Sequence, residues 1–148
     1  MPSLPGTHLI TVGIYNKLAA DATLIGLLPD GVWLEVAMPS STGVPRTKFA
    51  IVSHVPISRD VGVFGRRAYE EHLYMVKAVT RDLSPKTANS AADRINELLE
   101  DTPIAVEGYT WMTTHRTDWI ELQEIDDADP KLAWQHRGGH FKVQYALL

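Results

Sequence analysis

Apolar residues near the start of the chain recur every fourth position. Ile10, Ile14 and Leu18 align on one face of a helix predicted from about His8 to Ala20, with Thr7 as its cap. Asp21 is placed to cap a short second piece containing Leu24, Ile25, Leu27 and Leu28. Pro29-Asp30-Gly31 stops that pattern, because proline fixes one turn torsion and glycine accepts a positive one. A cleaner helical period follows later. Ser84 is a good N-cap, and Pro85 takes the first helical position, where its missing N–H costs nothing. Ala88, Ala91, Ala92, Ile95, Leu98 and Leu99 form the buried stripe, and Lys86, Asn89, Asp93, Arg94, Asn96 and Glu97 the wet one. Pro103 closes the segment.

Elsewhere the period is two. Val32 to Val36 reads as a short strand, and Met38 to Thr47, rich in proline, serine and threonine, as a loop. Lys48 to Val55 is apolar on both sides, as in a central or doubly covered strand, and Pro56 is expected to end it. Ser58 to Arg67 reads as a long exposed hairpin arm or loop, so that residues 56–68 project from the domain. The longest strand is predicted from Ala68 to Thr80, its polar start at Tyr69-Glu70-Glu71-His72 extending beyond the core. Ile104 to Val106 and Tyr109 to about Thr114 are expected to pair across Glu107-Gly108, with a further strand or a continuation through Trp119, Ile120 and Leu122. An acidic loop with Glu124, Asp126, Asp127 and Asp129 precedes Pro130. Phe141, Val143, Tyr145 and Leu147 then alternate with His140, Lys142 and Gln144 in a last strand. The order implies one α+β domain over residues 1–148, with two helices on one face of a mainly antiparallel sheet.

Composition narrows the function classes. An apolar content of 45% and a charged content of 22% are ordinary for a globular domain, which argues against disorder. No run approaches the ~20 apolar residues of a membrane span. Met1 to Gly6 lacks the pattern of a signal peptide, so synthesis in the cytoplasm is expected. The absence of cysteine removes disulfides, thiolate metal sites and cysteine nucleophiles. The net charge is −4 and the cations are dispersed apart from Arg66-Arg67, so the clustered charge of a DNA-binding surface is missing.

Candidate chemistry is sparse. His136 and His140 flank Arg137-Gly138-Gly139, but a zinc pair at that spacing belongs on a helix, which two glycines break. The glycines are expected instead to form a turn or bulge that launches the last strand. A small-molecule pocket would fall most plausibly around His136, Arg137 and His140. His54, on an otherwise apolar strand, reads as a core or subunit-contact residue. The carboxylates from Glu121 to Asp129 lack the ligand alternation of a calcium loop, and read as a solvated acidic loop. Neither Gly62-Val63-Phe64-Gly65 nor Gly138-Gly139 makes a phosphate-binding loop. No metal, cofactor or catalytic residue is expected. Of Trp33, Trp111, Trp119 and Trp134, most are expected in the core and one or two between subunits.

The order and texture of these segments resemble the tail-terminator, or tail-completion, family of long-tailed bacteriophages. The resemblance spans about Thr7 to Leu148. It is carried by Leu24-Ile25-Gly26-Leu27-Leu28, Val32-Trp33, Lys48 to Ser53, the glycine-containing arm, His72 to Val79, the Ala/Asp/Ile helix and Trp134 to Val143. It implies a structural virion protein without catalysis, a closed ring, commonly a hexamer, that caps the tail tube and ends its growth. The implied partners are other copies of the chain, the major tail tube protein and head–tail connector proteins, with genomic DNA only passing through and no membrane contact. The implied location is the virion tail, and the host cytoplasm during assembly. Candidate subunit or tube contacts are Arg59, Phe64, Arg66, Arg67, Tyr69, Glu71, Trp111 and Trp134. A head–tail connector or other minor tail protein is the nearest alternative, and a small-molecule-binding or enzymatic domain a more distant one.

Overall fold

The computed structural model describes residues 7–63 and 66–147, and the side chains of residues 8–56 and 68–146. Met1–Gly6, at which no signal sequence was expected, and the arm residue Phe64 lie outside them. The chain runs α1 (Thr7–Ala19), α2 (Ala22–Leu27), β1 (Val32–Leu34), β2 (Lys48–Val63), β3 (Arg66–Arg81), α3 (Lys86–Leu99), β4 (Tyr109–Ile125) and β5 (Ala133–Leu147). The strands form a five-stranded sheet in the order β1-β2-β3-β5-β4, antiparallel except for β1 against β2. This is the expected α+β domain.

Helix α1 buries the predicted stripe, with Ile10, Ile14 and Leu18 each no more than 1% exposed. Asp21 caps α2 by accepting from Leu24 N–H at 2.8 Å. Its carboxylate also receives Nε and Nη2 of Arg94 at 2.9 and 2.7 Å, which ties α2 to α3. Helix α3 starts one residue later than expected, with Pro85 in the cap position and Lys86 as the first helical residue, and Ser84 Oγ accepts from Lys86 N–H at 3.3 Å. The stripe Ala88, Ala91, Ala92, Ile95 and Leu99 is buried. All three helices share one face of the sheet, where Ala50, Val52, Tyr74, Val76, Ala78, Phe141, Val143 and Tyr145 complete the core.

This capping makes stability acid-sensitive. The Arg94 guanidinium holds the Asp21 carboxyl below its usual value, the Thr47 and Lys48 amides do the same for Asp30, and Arg81 does so for Asp126. Depressed folded-state values mean that the stabilisation is complete above the unfolded value and is lost as pH falls through the folded one. The urea midpoint is therefore expected to fall as pH drops below about 4. Asp21→Asn should flatten part of that fall, and Asp21→Ala should cost about 1 kcal/mol at neutral pH through the cap alone.

Four sequence expectations are corrected by long-range pairing. Pro56 does not end its strand: β2 continues to Val63, with a register shift between Val55 and Ser58. A bulge tolerates the missing N–H of proline, so the strand survives. The arm is thus a β-ladder in its backbone, with Arg59 opposite Glu71 and Val63 opposite Arg66. Ile104 to Val106 is not a strand, and β4 pairs with β5 along its whole length instead. Residues 104–106 lie against α1, so closely that a Cβ on Gly13 would sit 2.9 Å from Val106 Cγ2. Gly138 and Gly139 do not launch the last strand but lie inside it, since β5 begins at Ala133. At Gly138 a Cβ would overlap the Val76 carbonyl oxygen and lie 2.5 Å from Lys77 Cα, so the close approach of β3 demands glycine. Finally, the acidic stretch is not one loop. Glu121 to Ile125 belong to β4, and Asp126 is buried, receiving Arg81 Nε at 2.6 Å and the amides of Ala128 and Asp129 at 2.8 and 3.0 Å. Those bonds make Asp126 the staple of the β4–β5 turn.

Candidate assembly interface

The candidate contact residues fall into two places along the sheet. Arg59, Arg66 and Arg67 stand on the arm ladder, their side chains outside the described set. Tyr69, opposite Val61, and Glu71 stand at its base. Glu71 is engaged within its own subunit, accepting from Gln144 Nε2 at 2.7 Å with Lys142 Nζ at 3.9 Å. Trp111 is level with this end, opposite Tyr145, where it packs against the core and donates Nε1–H to Thr114 Oγ1 at 2.9 Å. Trp134 lies at the other end of β5, between Arg81 and Glu124. Eleven residues of extended chain, roughly 36 Å, separate it from Tyr145.

The sheet also separates the residues of the suggested pocket. Side chains alternate along β5, so His136 and His140 share the face away from the helices while Arg137 points to the helix side. Four strand residues place the two histidines about 13 Å apart, and each has its own acidic neighbour. His136 Nε2 lies 3.3 Å from Glu124 Oε1, and His140 Nδ1 lies 2.6 Å from Asp118 Oδ1. Burial, and then Lys77, lowers the His136 pKa from its ordinary value. Among the described residues no group of three or more histidines, aspartates or glutamates is gathered to hold a metal. His54 is half-buried against His72 and Tyr74, at 5.7 and 5.2 Å between ring centroids, and desolvation lowers its pKa as well.

Two stretches of sheet edge stand open. Along β4 the middle of the edge is covered, since Thr114 O accepts from Asp101 N–H at 2.7 Å and Arg116 N–H donates to Glu100 Oε2 at 2.6 Å. Beyond the register shift between Arg116 and Asp118 it is not. The Asp126 N–H to Leu132 O bond sets the antiparallel alternation, which turns the backbone groups of Trp119, Glu121, Gln123 and Ile125 outward. None of them meets a partner among the described residues. On the opposite side, β1 covers β2 only from Ala50 to Val52, and Glu35 ends it with a φ of 65°. The Glu35 carboxylate then takes His54 N–H at 3.3 Å and Ser53 Oγ–H at 2.6 Å. From there to Val63 the outer edge of β2 has no strand beside it among the described residues.

Sequence reading missed the open stretch of β4, whose one signal was the alternation of Trp119, Glu121 and Gln123 with Ile120 and Leu122. Trp119, Leu122 and Ile125 are 51, 49 and 71% exposed. Beside them a groove of about 520 Å³ runs between α3 and β4, lined by Asn89, Ala92, Asp93, Trp119, Glu121 and Arg137. The Arg116 guanidinium lies 3.5 Å from the Trp119 ring centroid and so covers one part of the indole.

No family model matches this chain, and no curated protein matches it. Among solved structures, one chain of the virion of a native gene transfer agent particle aligns with a TM-score of 0.72 and 16% identity, covering 97% of this chain and 99% of that one. A second solved chain, with no function in its description, aligns with a TM-score of 0.56 and 12% identity, covering 98% of this chain and 97% of that one. Over nearly its whole length, this chain has the fold of a chain from a gene transfer agent virion.

Proposed function

We propose that the chain is a structural virion protein that forms a ring at the end of a phage-type tail tube, stops tube growth and joins the tail to the head. The observation that carries this reading is the likeness of fold to a chain of a gene transfer agent virion, over 97% of this chain and 99% of that one. The physical features agree with assembly. The sheet ends in two unlike open edges, and unlike edges suit the head-to-tail contacts from which rings close. A catalytic reading finds no such support, because the sheet divides His136 and His140 from Arg137 between its two faces.

The test is native mass by light scattering together with electron microscopy, with and without purified tail tubes. Rings in solution, or density capping tube ends, are the expected result. A strict monomer that ignores tubes would overturn the proposal. Binding to DNA-filled heads in preference to tubes would move the chain to the head–tail connector position.

A further inference from the structure

We infer that the open stretch Trp119–Ile125 of β4, with the groove beneath it, receives the β2–β3 arm of a neighbouring copy. The inference rests on the ring reading and adds to it the contact that holds neighbours together.

Backbone geometry provides the first argument. Three successive antiparallel steps, β2 to β3 to β5 to β4, leave β4 running opposite to β2. A second copy set alongside in the same orientation therefore offers its β2 to β4 as an antiparallel partner. Exposed edges normally carry proline, lysine or another block to such pairing. Strand β4 contains neither proline nor lysine nor glycine, and its open stretch is seven residues long. The part of β2 beyond its bulge, Ser58–Val63, pairs with β3 on one side and has no strand on its outer edge among the described residues, over six residues.

Charge supplies the second. The open stretch presents Glu121 on the groove side and Glu124 on the other face. Glu121 and Asp93 of α3 line the groove together with Arg137, whose guanidinium is taken up by the Leu122 and His136 carbonyl oxygens. The arm sequence carries Arg59, Arg66 and Arg67 against the single acid Asp60. Like stretches repel and unlike ones attract, so the acids bar two β4 edges from pairing with each other while welcoming the arm. The indole of Trp119, half exposed at the mouth of the groove, offers an aromatic surface on which an arginine can lie. The open stretch and the arm lie toward opposite ends of the strands, so neighbours must be staggered along the strand direction, as strands tilt in a closed barrel.

The absence of native cysteine makes a cross-linking test clean. The double variant Leu122→Cys with Val61→Cys, two positions that the register places on the same face of a continuous sheet, is expected to give, on mild oxidation, a ladder of covalent oligomers up to the full ring, and each single variant none. In parallel, Asp93→Arg with Glu121→Arg, and separately Arg59→Glu with Arg66→Glu and Arg67→Glu, should each weaken self-assembly at least tenfold. Mixing these two variants should restore assembly, because each then offers the other a matching groove and arm. Wild-type rings with no ladder and no charge dependence would overturn the docking while leaving the ring reading intact. A wild-type chain that never assembles would overturn both.

Discussion

Gly138→Ala is expected to lower the unfolding free energy by about 3 kcal/mol, the upper range for forcing atoms into a packed interior. The added methyl would meet the Val76 carbonyl oxygen and Lys77 Cα, which are backbone atoms of the central strand. A flexible side chain could swing aside, but the β3–β5 ladder on either side of the Lys77–Gly138 pair holds these atoms in place. Such a loss is a large fraction of the stability of a domain this size. Gly26 is the control. No atom lies within 4 Å of a Cβ built there, and the residue is inside α2. Gly26→Ala should raise stability by about 0.5–1 kcal/mol, from helix propensity alone. Urea denaturation of the two variants decides the matter, and equal effects would refute the close-approach argument.

The other large effect is expected at Tyr145. Its ring is fully buried, and its hydroxyl donates to the Ile104 carbonyl oxygen at 2.7 Å. That bond fastens the segment between α3 and β4, which has no ladder of its own, to the last strand. Burial pushes the phenol pKa above its ordinary value, so the hydroxyl remains a donor across the accessible pH range. Tyr145→Phe leaves a buried carbonyl unpaired and should cost about 1–3 kcal/mol. Tyr145→Ala also empties the ring site and should cost about 3–5 kcal/mol. Hydrogen exchange adds a local readout: in Tyr145→Phe, the Tyr109 amide, which donates to Val106 O, should lose more protection than the amides of α3. Uniform loss of protection would show that Tyr145 acts through packing alone.

The candidate site was only partly legible in the sequence. The glycines and charges of residues 56–68 suggested a hairpin, and a β2–β3 ladder runs through them. The surface opposite to that ladder could not be seen. Glu121 and Glu124 looked like part of an acidic loop because composition does not reveal that a strand partner, Arg137 to Trp134, lies alongside. Trp119 likewise gave no sign of its exposure. Burial of one tryptophan depends on what the fold places over it, and nothing local records that.

Some of the fold was set by neighbours in the chain. The stripe of Ile10, Ile14 and Leu18, the Asp21 cap, and the Ser84-Pro85 start of α3 are short-range features, written within one or two helical turns. The alternation of Phe141, Val143 and Tyr145 is short-range too, and it named the buried side of β5 correctly. Tertiary structure alone decided where strands end and what they meet. Pro56 is carried inside β2 because a bulge takes up its missing donor, and Gly138 sits mid-strand because β3 approaches too closely for a side chain. Both outcomes depend on a partner strand from elsewhere in the chain. A sheet is held by bonds between distant segments, so its extents and its open edges are properties of the assembled layer, while a helix closes its bonds within itself.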